Sequence, residues 1–172
     1  MLKTSRKRRF KLAIINNPHD KYFKEVMGNV ETAKSFLENY LPTKVVESID
    51  LKKLEPEKDS FIEKELQDIY SDLLFKTKIN DNDGYLYFLF EHKSYVEKRI
   101  AIQLLKYIIS IWEQKINKEK HDKLPVIIPV VVYHGRNRWK EGFNLGSQIE
   151  GYEDLPDEIK RYIPDYVYNL YD

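Results

Sequence analysis

The sequence predicts an α/β fold with elements in the order helix, three strands, helix, strand, and three observations carry that expectation. The first is a pair of strand-like segments, 69–79 and 85–92, rich in aromatic and branched residues and separated by Asp81, Asn82, Asp83 and Gly84, which supply hairpin turn chemistry. The second is apolar residues at helical spacing on either side of that hairpin. The third is residues 125–133, PVIIPVVVY, a nearly continuous apolar run of the kind found in strands covered on both faces.

Taken in order, the chain begins with a basic arm, residues 1–17, carrying Lys3, Arg6, Lys7, Arg8, Arg9 and Lys11. Such an arm either contacts phosphates through charge or remains a solvated tail. The apolar patch at 12–15 is too short for a secretory signal. Residues 18–172 read as one domain. From Asp20 to Tyr40 the positions Phe23, Met27, Val30, Ala33, Phe36, Leu37 and Tyr40 recur at threes and fours, predicting one helix with Asp20 as N-cap and Pro42 just past its end. Residues 45–51 read as a short strand. The acidic stretch 57–67 reads either as a helical turn or as an irregular lead-in to the next strand.

The hairpin sets the register that matters. A loop of two or four residues centred on residues 81–84 pairs Asn80 with Tyr85 and so places Asp72 opposite Lys93 and diagonal to Glu91, all on one face of the sheet. A slip of one residue would move Asp72 to the other face. Residues 96–118 then predict a long, largely buried helix with a narrow polar stripe of Arg99, Gln103, Lys106 or Tyr107, and Ser110. Beyond His134 and Gly135 the pattern weakens. Trp139 and Phe143 are expected to cap the core, and 162–171 to add a further strand or edge segment.

Composition bounds the function. At 172 residues and 42% hydrophobic, the chain can bury a single core. Its 29 basic and 28 acidic side chains nearly cancel, so a nucleic-acid reading rests on local rather than global charge. With no cysteine there is no disulfide, thiolate metal site or cysteine nucleophile, which suits a cytoplasmic location. No apolar run reaches the roughly 20 residues of a membrane helix, so no membrane association is expected.

The chemistry concentrates at YLYFLFEHK, residues 85–93, where an apolar strand ends on Glu91 and Lys93, two apart and therefore on one face. Glu-x-Lys alone arises by chance in a chain one third charged. A partner strand bearing Asp72 makes a site of it, because charge at the rim of a core is costly unless paired or used. Asp72 and Glu91 are hard oxygen ligands suited to Mg2+ or Mn2+. Lys93 could orient a water or stabilise developing negative charge. No two of the four histidines have zinc-ligand spacing, and His134 is read as marking a strand end that borders the site.

Together the phrases PHDKYFKEV, YSDLLFKTKI, YLYFLFEHKSY, QLLKYIISIWE and LPVIIPVVVYHG resemble the PD-(D/E)XK nuclease superfamily, and more closely its recombination-promoting nuclease family, also labelled transposases. The resemblance spans residues 18–135. It implies a restriction-endonuclease-like αβββαβ core, a mixed central sheet flanked by helices, with metal-dependent DNA endonuclease activity linked to recombination or mobile elements. It assigns catalysis to Asp72, Glu91 and Lys93, with metal on Asp72 and Glu91. It adds Gln103 and Tyr107, because Gln-x-x-x-Tyr after the Glu-x-Lys strand resembles a third motif of some exonuclease branches; the alternative is two polar groups at a helix boundary. Asp20 and Glu25 are auxiliary acidic candidates; otherwise they are a cap and a surface charge.

Family members are commonly longer, and some carry Gln at the position of Lys93. Two alternatives to the nuclease follow. One is a catalytically weak or inactive module that binds DNA or regulates a full-length relative, with homodimers or mixed pairs as partners. The other is a structural protein in which the hairpin charges form only a salt bridge.

Overall fold

A computed structural model describes residues 18–57, 71–91, 99–119, 122–135, 137–140 and 142–171. At 18–21, 71, 72, 91, 118 and 119 it is the backbone that is described. The basic arm and Lys93 lie outside the described residues.

Pro18 opens α1 (Pro18–Met27), where its fixed φ fits the first helical turn and its missing N–H costs nothing. Asp20 therefore sits inside the first turn and is not the N-cap. The expected single helix is two: α1 stops at Gly28, and Asn29 caps α2 (Val30–Tyr40), its side-chain oxygen accepting from the backbone N–H groups of Glu31 and Thr32 at 3.0 and 3.2 Å. The expected strand at 45–51 is also corrected. Val45 and Val46 belong to the short helix α3 (Thr43–Glu47), which follows Pro42; only Ile49 makes a bridge, to Ile79.

Among the described residues five strands form one mixed sheet in chain order: β1 (Glu55–Pro56), β2 (Ser71–Ile79), β3 (Asn82–Glu91), β4 (Val126–Tyr133) and β5 (Asn169–Tyr171). The pairs β1–β2 and β2–β3 are antiparallel, β3–β4 and β4–β5 parallel. The crossover from β3 to β4 contains the long helix α4 (Ile100–Glu119). Near the C-terminus a single short turn of helix, α5 (Asp157–Lys160), precedes β5.

The sheet separates two apolar layers, as strand alternation requires. On one face Phe75, Leu86, Phe88 and Val130 pack with Phe23, Met27, Ala33 and Leu37 of α1 and α2. On the other, Tyr87, Leu89 and Val131 pack with Ile100, Ala101, Leu104, Tyr107 and Ile111 of α4. α4 is less buried than its composition suggested, since Ile102, Ile109 and Ile116 are exposed. Trp139 does border the core, and Phe143, though about half exposed, meets the buried Tyr168 edge-on with ring centroids 6.5 Å apart.

The hairpin turn lies two residues earlier in the chain than expected. Asn80 and Asp81 alone form the loop, with φ of 47° and 66°, and Ile79 pairs with Asn82. Positive φ at both central residues is type I′ geometry, whose twist matches that of the strands. Gly84 is thereby drawn into β3, where a Cβ would come within 2.5 Å of the Ile79 side chain.

Candidate active site at the carboxyl ends of the parallel strands

The two-residue turn fixes the register of β2 against β3, pairing Asp72 with Leu89 and Ser71 with Phe90. Asp72 is thus opposite Leu89 rather than Lys93, a shift of four in the pairing. The shift is even, so the faces are preserved: Asp72 stands on the face of Leu89 and Glu91 and is diagonal to Glu91. Diagonal neighbours on a sheet are about 7–8 Å apart at the backbone. Lys93 lies outside the described residues.

Glu91 pairs in turn with Tyr133, the last residue of β4. Asp72, Glu91 and Tyr133 therefore share one face at one end of the sheet. This end gathers the carboxyl termini of the parallel strands β3 and β4, where α/β proteins place their ligand crevices. Tyr133 is buried, donates from its hydroxyl to the Asn137 carbonyl at 2.9 Å, and meets Trp139 edge-on with ring centroids 5.1 Å apart. These aromatics wall the end of the sheet. The sequence reading missed Tyr133 because a tyrosine ending an apolar strand carries no site signal by itself; only its register opposite Glu91 reveals it.

α4 lies across the same face. Tyr107 packs on Tyr87 at 5.2 Å between centroids, and eight residues later the Lys115 ammonium sits 4.8 Å over the Tyr85 ring. The helix thus runs antiparallel to β3, and Gln103, one turn before Tyr107, lies toward the Glu91 end. Its Nε2 is buried and has no hydrogen-bond partner among the described residues. An unpaired buried amide costs about 1–3 kcal/mol. Tyr107 is 1% exposed and belongs to the core. It does not share a polar stripe with Gln103, but anchors that turn of the helix.

The auxiliary residues separate. Asp20 is one turn before Phe23, whose ring stacks on Phe90 beside Glu91, so its backbone is near the same end of the sheet. Glu25 is exposed and, two residues past the buried Phe23, lies on the far side of α1. His134 follows β4 directly and is exposed, alternating away from the Tyr133 face. The structure does not gather Glu25 into the site. Elsewhere among the described side chains, which exclude those of Asp72 and Glu91, no group of three His, Asp, Glu or Cys could hold a metal. Among the described residues no helix is long and apolar enough to cross a membrane.

Comparison with known proteins decides the family. The family described as "Putative transposase, YhgA-like" matches residues 17–172. The chain belongs to the YhgA-like transposase family. Over 120 residues this YhgA-like chain is 39% identical to the inactive recombination-promoting nuclease-like protein RpnE of Escherichia coli K12, a stretch covering 70% of this chain and 40% of RpnE. It is 35% identical over 120 residues to recombination-promoting nuclease RpnD of Escherichia coli O157:H7, covering 70% and 46%. With recombination-promoting nuclease RpnC of strain K12 the identity is 37% over 118 residues, covering 69% and 39%. The chain spans less than half the length of these relatives. No solved structure matches it.

Proposed function

We propose that this chain carries the nuclease core of a divalent-metal-dependent DNA endonuclease acting in recombination or mobile-element movement, organised as a restriction-endonuclease-like αβββαβ unit. The observation that carries the reading is the register of β2 on β3, which brings the backbones of Asp72 and Glu91 to diagonal positions on one face at the carboxyl end of the sheet. The names of RpnD and RpnC, both recombination-promoting nucleases, support it.

The donor set fits the expected ion. Two carboxylates at diagonal positions can share a cation that takes oxygen ligands at roughly 2.0–2.1 Å and keeps most of its waters, as magnesium does. Asp72 and Glu91 would hold it, and it would supply stabilisation of phosphoryl charge together with an acidified water. Lys93, two residues after Glu91 in the sequence, would place an ammonium against the charge that builds on the phosphate in the transition state. Gln103 would donate its orphaned N–H to a phosphate oxygen or to the attacking water, orienting rather than ionising it. The buried Tyr133 and Tyr107 and the half-buried Trp139 would keep the floor of the site dry, which would strengthen each of these interactions. Lys3, Arg6, Lys7, Arg8, Arg9 and Lys11 would add sequence-independent contacts to the DNA backbone.

A second reading has its own support, the word "inactive" in the name of RpnE, the relative with 39% identity. On that reading the same end of the sheet binds DNA or a full-length relative without cutting. Thermal unfolding with and without magnesium separates the two. An ion bound only by the folded state at 100 times its Kd adds about 2.7 kcal/mol and raises the midpoint. The nuclease reading expects that rise in the wild type and its loss in Asp72→Ala; absence of any rise favours the non-cutting module.

A further inference from the structure

Between Asp122 and Glu141 the chain carries Lys123, Arg136, Arg138 and Lys140 and no acidic residue, in a protein whose 29 basic and 28 acidic side chains otherwise balance. Three of these cations fall in the short stretch after β4, HGRNRWK, residues 134–140. β4 runs parallel to β3, so this stretch leaves the sheet at the end where Asp72 and Glu91 stand. Tyr133 pairs with Glu91, adjacent strands are about 4.8 Å apart, and the loop begins one residue further on. Lys123 precedes β4 and belongs to the opposite end. Arg136 lies outside the described residues.

Three contacts pin this loop. The Tyr133 hydroxyl donates to the Asn137 carbonyl at 2.9 Å. The Tyr133 ring lies back over Gly135 so closely that a Cβ there would collide with it. Trp139 meets Tyr133 and Tyr168 edge-on, with centroids 5.1 and 6.5 Å away, and packs in the apolar layer under α4, on the face that carries Asp72 and Glu91. With Trp139 turned inward, its two neighbours are left outside. Arg138 and Lys140 are exposed, and neither side chain makes a hydrogen bond or ion pair among the described residues. Two residues apart, their backbones are separated by at most about 7 Å, close to the spacing of consecutive phosphates along one nucleic-acid strand.

We propose that Arg138 and Lys140 form a phosphate clamp that seats one strand of duplex DNA against the carboxyl end of the sheet, beside Asp72 and Glu91. The proposal rests on the nuclease reading for what happens to the DNA there, but not for the binding itself. Two carboxylates alone repel a polyanion; a pair of uncommitted cations on a fixed loop beside them attracts one and gives it a position. Duplex DNA presents one charge per roughly 1.7 Å of axis on a stiff frame, so it meets both cations without ordering itself, as a flexible acidic peptide would have to. The loop is likewise fixed before the DNA arrives. Contacts of this kind set register on the backbone and read no sequence.

The test is binding of the full chain to a short fluorescent DNA duplex at several salt concentrations, in chelator so that binding is separated from cutting. Each phosphate contact contributes about 0.9 to the slope of log K against log salt, so Arg138→Gln combined with Lys140→Gln is expected to lower the slope by about 2 and to weaken binding about tenfold at low salt. Lys44→Gln combined with Lys123→Gln removes the same charge from exposed positions at the turn end of the sheet and is expected to leave both unchanged. Equal losses in the two double variants, an unchanged slope in Arg138→Gln with Lys140→Gln, or a wild type that does not bind the duplex overturns the proposal. Polyglutamate held as tightly, with the same dependence on Arg138 and Lys140, overturns the assignment to DNA. Plasmid cleavage with magnesium tells the two readings apart. Binding through Arg138 and Lys140 without cutting keeps the clamp and sinks the nuclease; cutting at low DNA concentration that the double variant leaves unchanged keeps the nuclease and sinks the clamp.

Discussion

Phe23 of α1 lies flat on Phe90 of β3, ring centroids 4.3 Å apart and planes 10° from parallel. The stack ties the first helix to the strand residue just before Glu91, from the face opposite the candidate site. It holds the end of β3 in place without touching the chemistry. Removing a buried ring of this kind costs about 3–4 kcal/mol. Phe23→Ala is expected to lose that much stability in urea unfolding, while Phe23→Leu loses less than half as much.

The turn provides a local test of the register. Asp81 sits at φ 66°, a left-handed conformation that Asp tolerates, whereas a β-branched residue there would lose about 1–2 kcal/mol. Asp81→Val is expected to lower stability by that amount, and Asp81→Gly not to lower it. If the two variants unfold at the same denaturant concentration, the type I′ turn and the register built on it are wrong.

The hairpin also shows how the sequence can misplace a turn and still find the site. Gly84 drew the loop toward 81–84, because glycine is the strongest turn signal. Ile79 instead fills the space over Gly84, leaving Asn80 and Asp81, which tolerate positive φ, to turn the chain. The resulting error in pairing was four, and strand alternation repeats every two, so Asp72 and Glu91 stayed on one face. A helix break was less legible: the apolar spacing runs through Gly28 and Asn29 almost in phase, and only the cap made by Asn29 separates α1 from α2. Tyr107 looked polar by type but packs on Tyr87, a contact set by the sheet and invisible in helix spacing. Tyr133 was missed because it depends on pairing between segments 42 residues apart.

Gln103 separates stability from activity. If its buried amide serves only the fold, an apolar replacement of similar size is neutral or stabilising. Gln103→Leu is expected to keep or raise the thermal midpoint while slowing DNA cleavage about 100-fold, in the range found when one transition-state hydrogen-bond donor is removed. Unchanged cleavage in a folded Gln103→Leu would remove this residue from the site.

Asp165 organises the C-terminal segment and makes its stability depend on pH. Burial opposes ionisation, but the Gly146 N–H at 2.7 Å and the Asn144 amide and Tyr152 hydroxyl, both at 3.1 Å, outweigh it and hold the carboxyl below its ordinary value. A carboxyl lowered in the folded state stabilises above its unfolded pKa and loses that contribution as pH falls through the folded value. Trp139, packed 6.5 Å from Tyr168, reports on this segment. Its emission is expected to change on acidification below the ordinary carboxylate range, and Asp165→Asn to be perturbed already at neutral pH with the acid transition reduced.

The most direct test of the account is cleavage of supercoiled plasmid by the purified chain with magnesium or manganese, against chelator, comparing wild type with Asp72→Ala, Glu91→Ala and Lys93→Ala. The account expects metal-dependent nicking or linearisation in the wild type and its loss in all three folded variants. Cleavage that survives Asp72→Ala and Glu91→Ala, or a wild type that binds DNA and never cuts it, would contradict it.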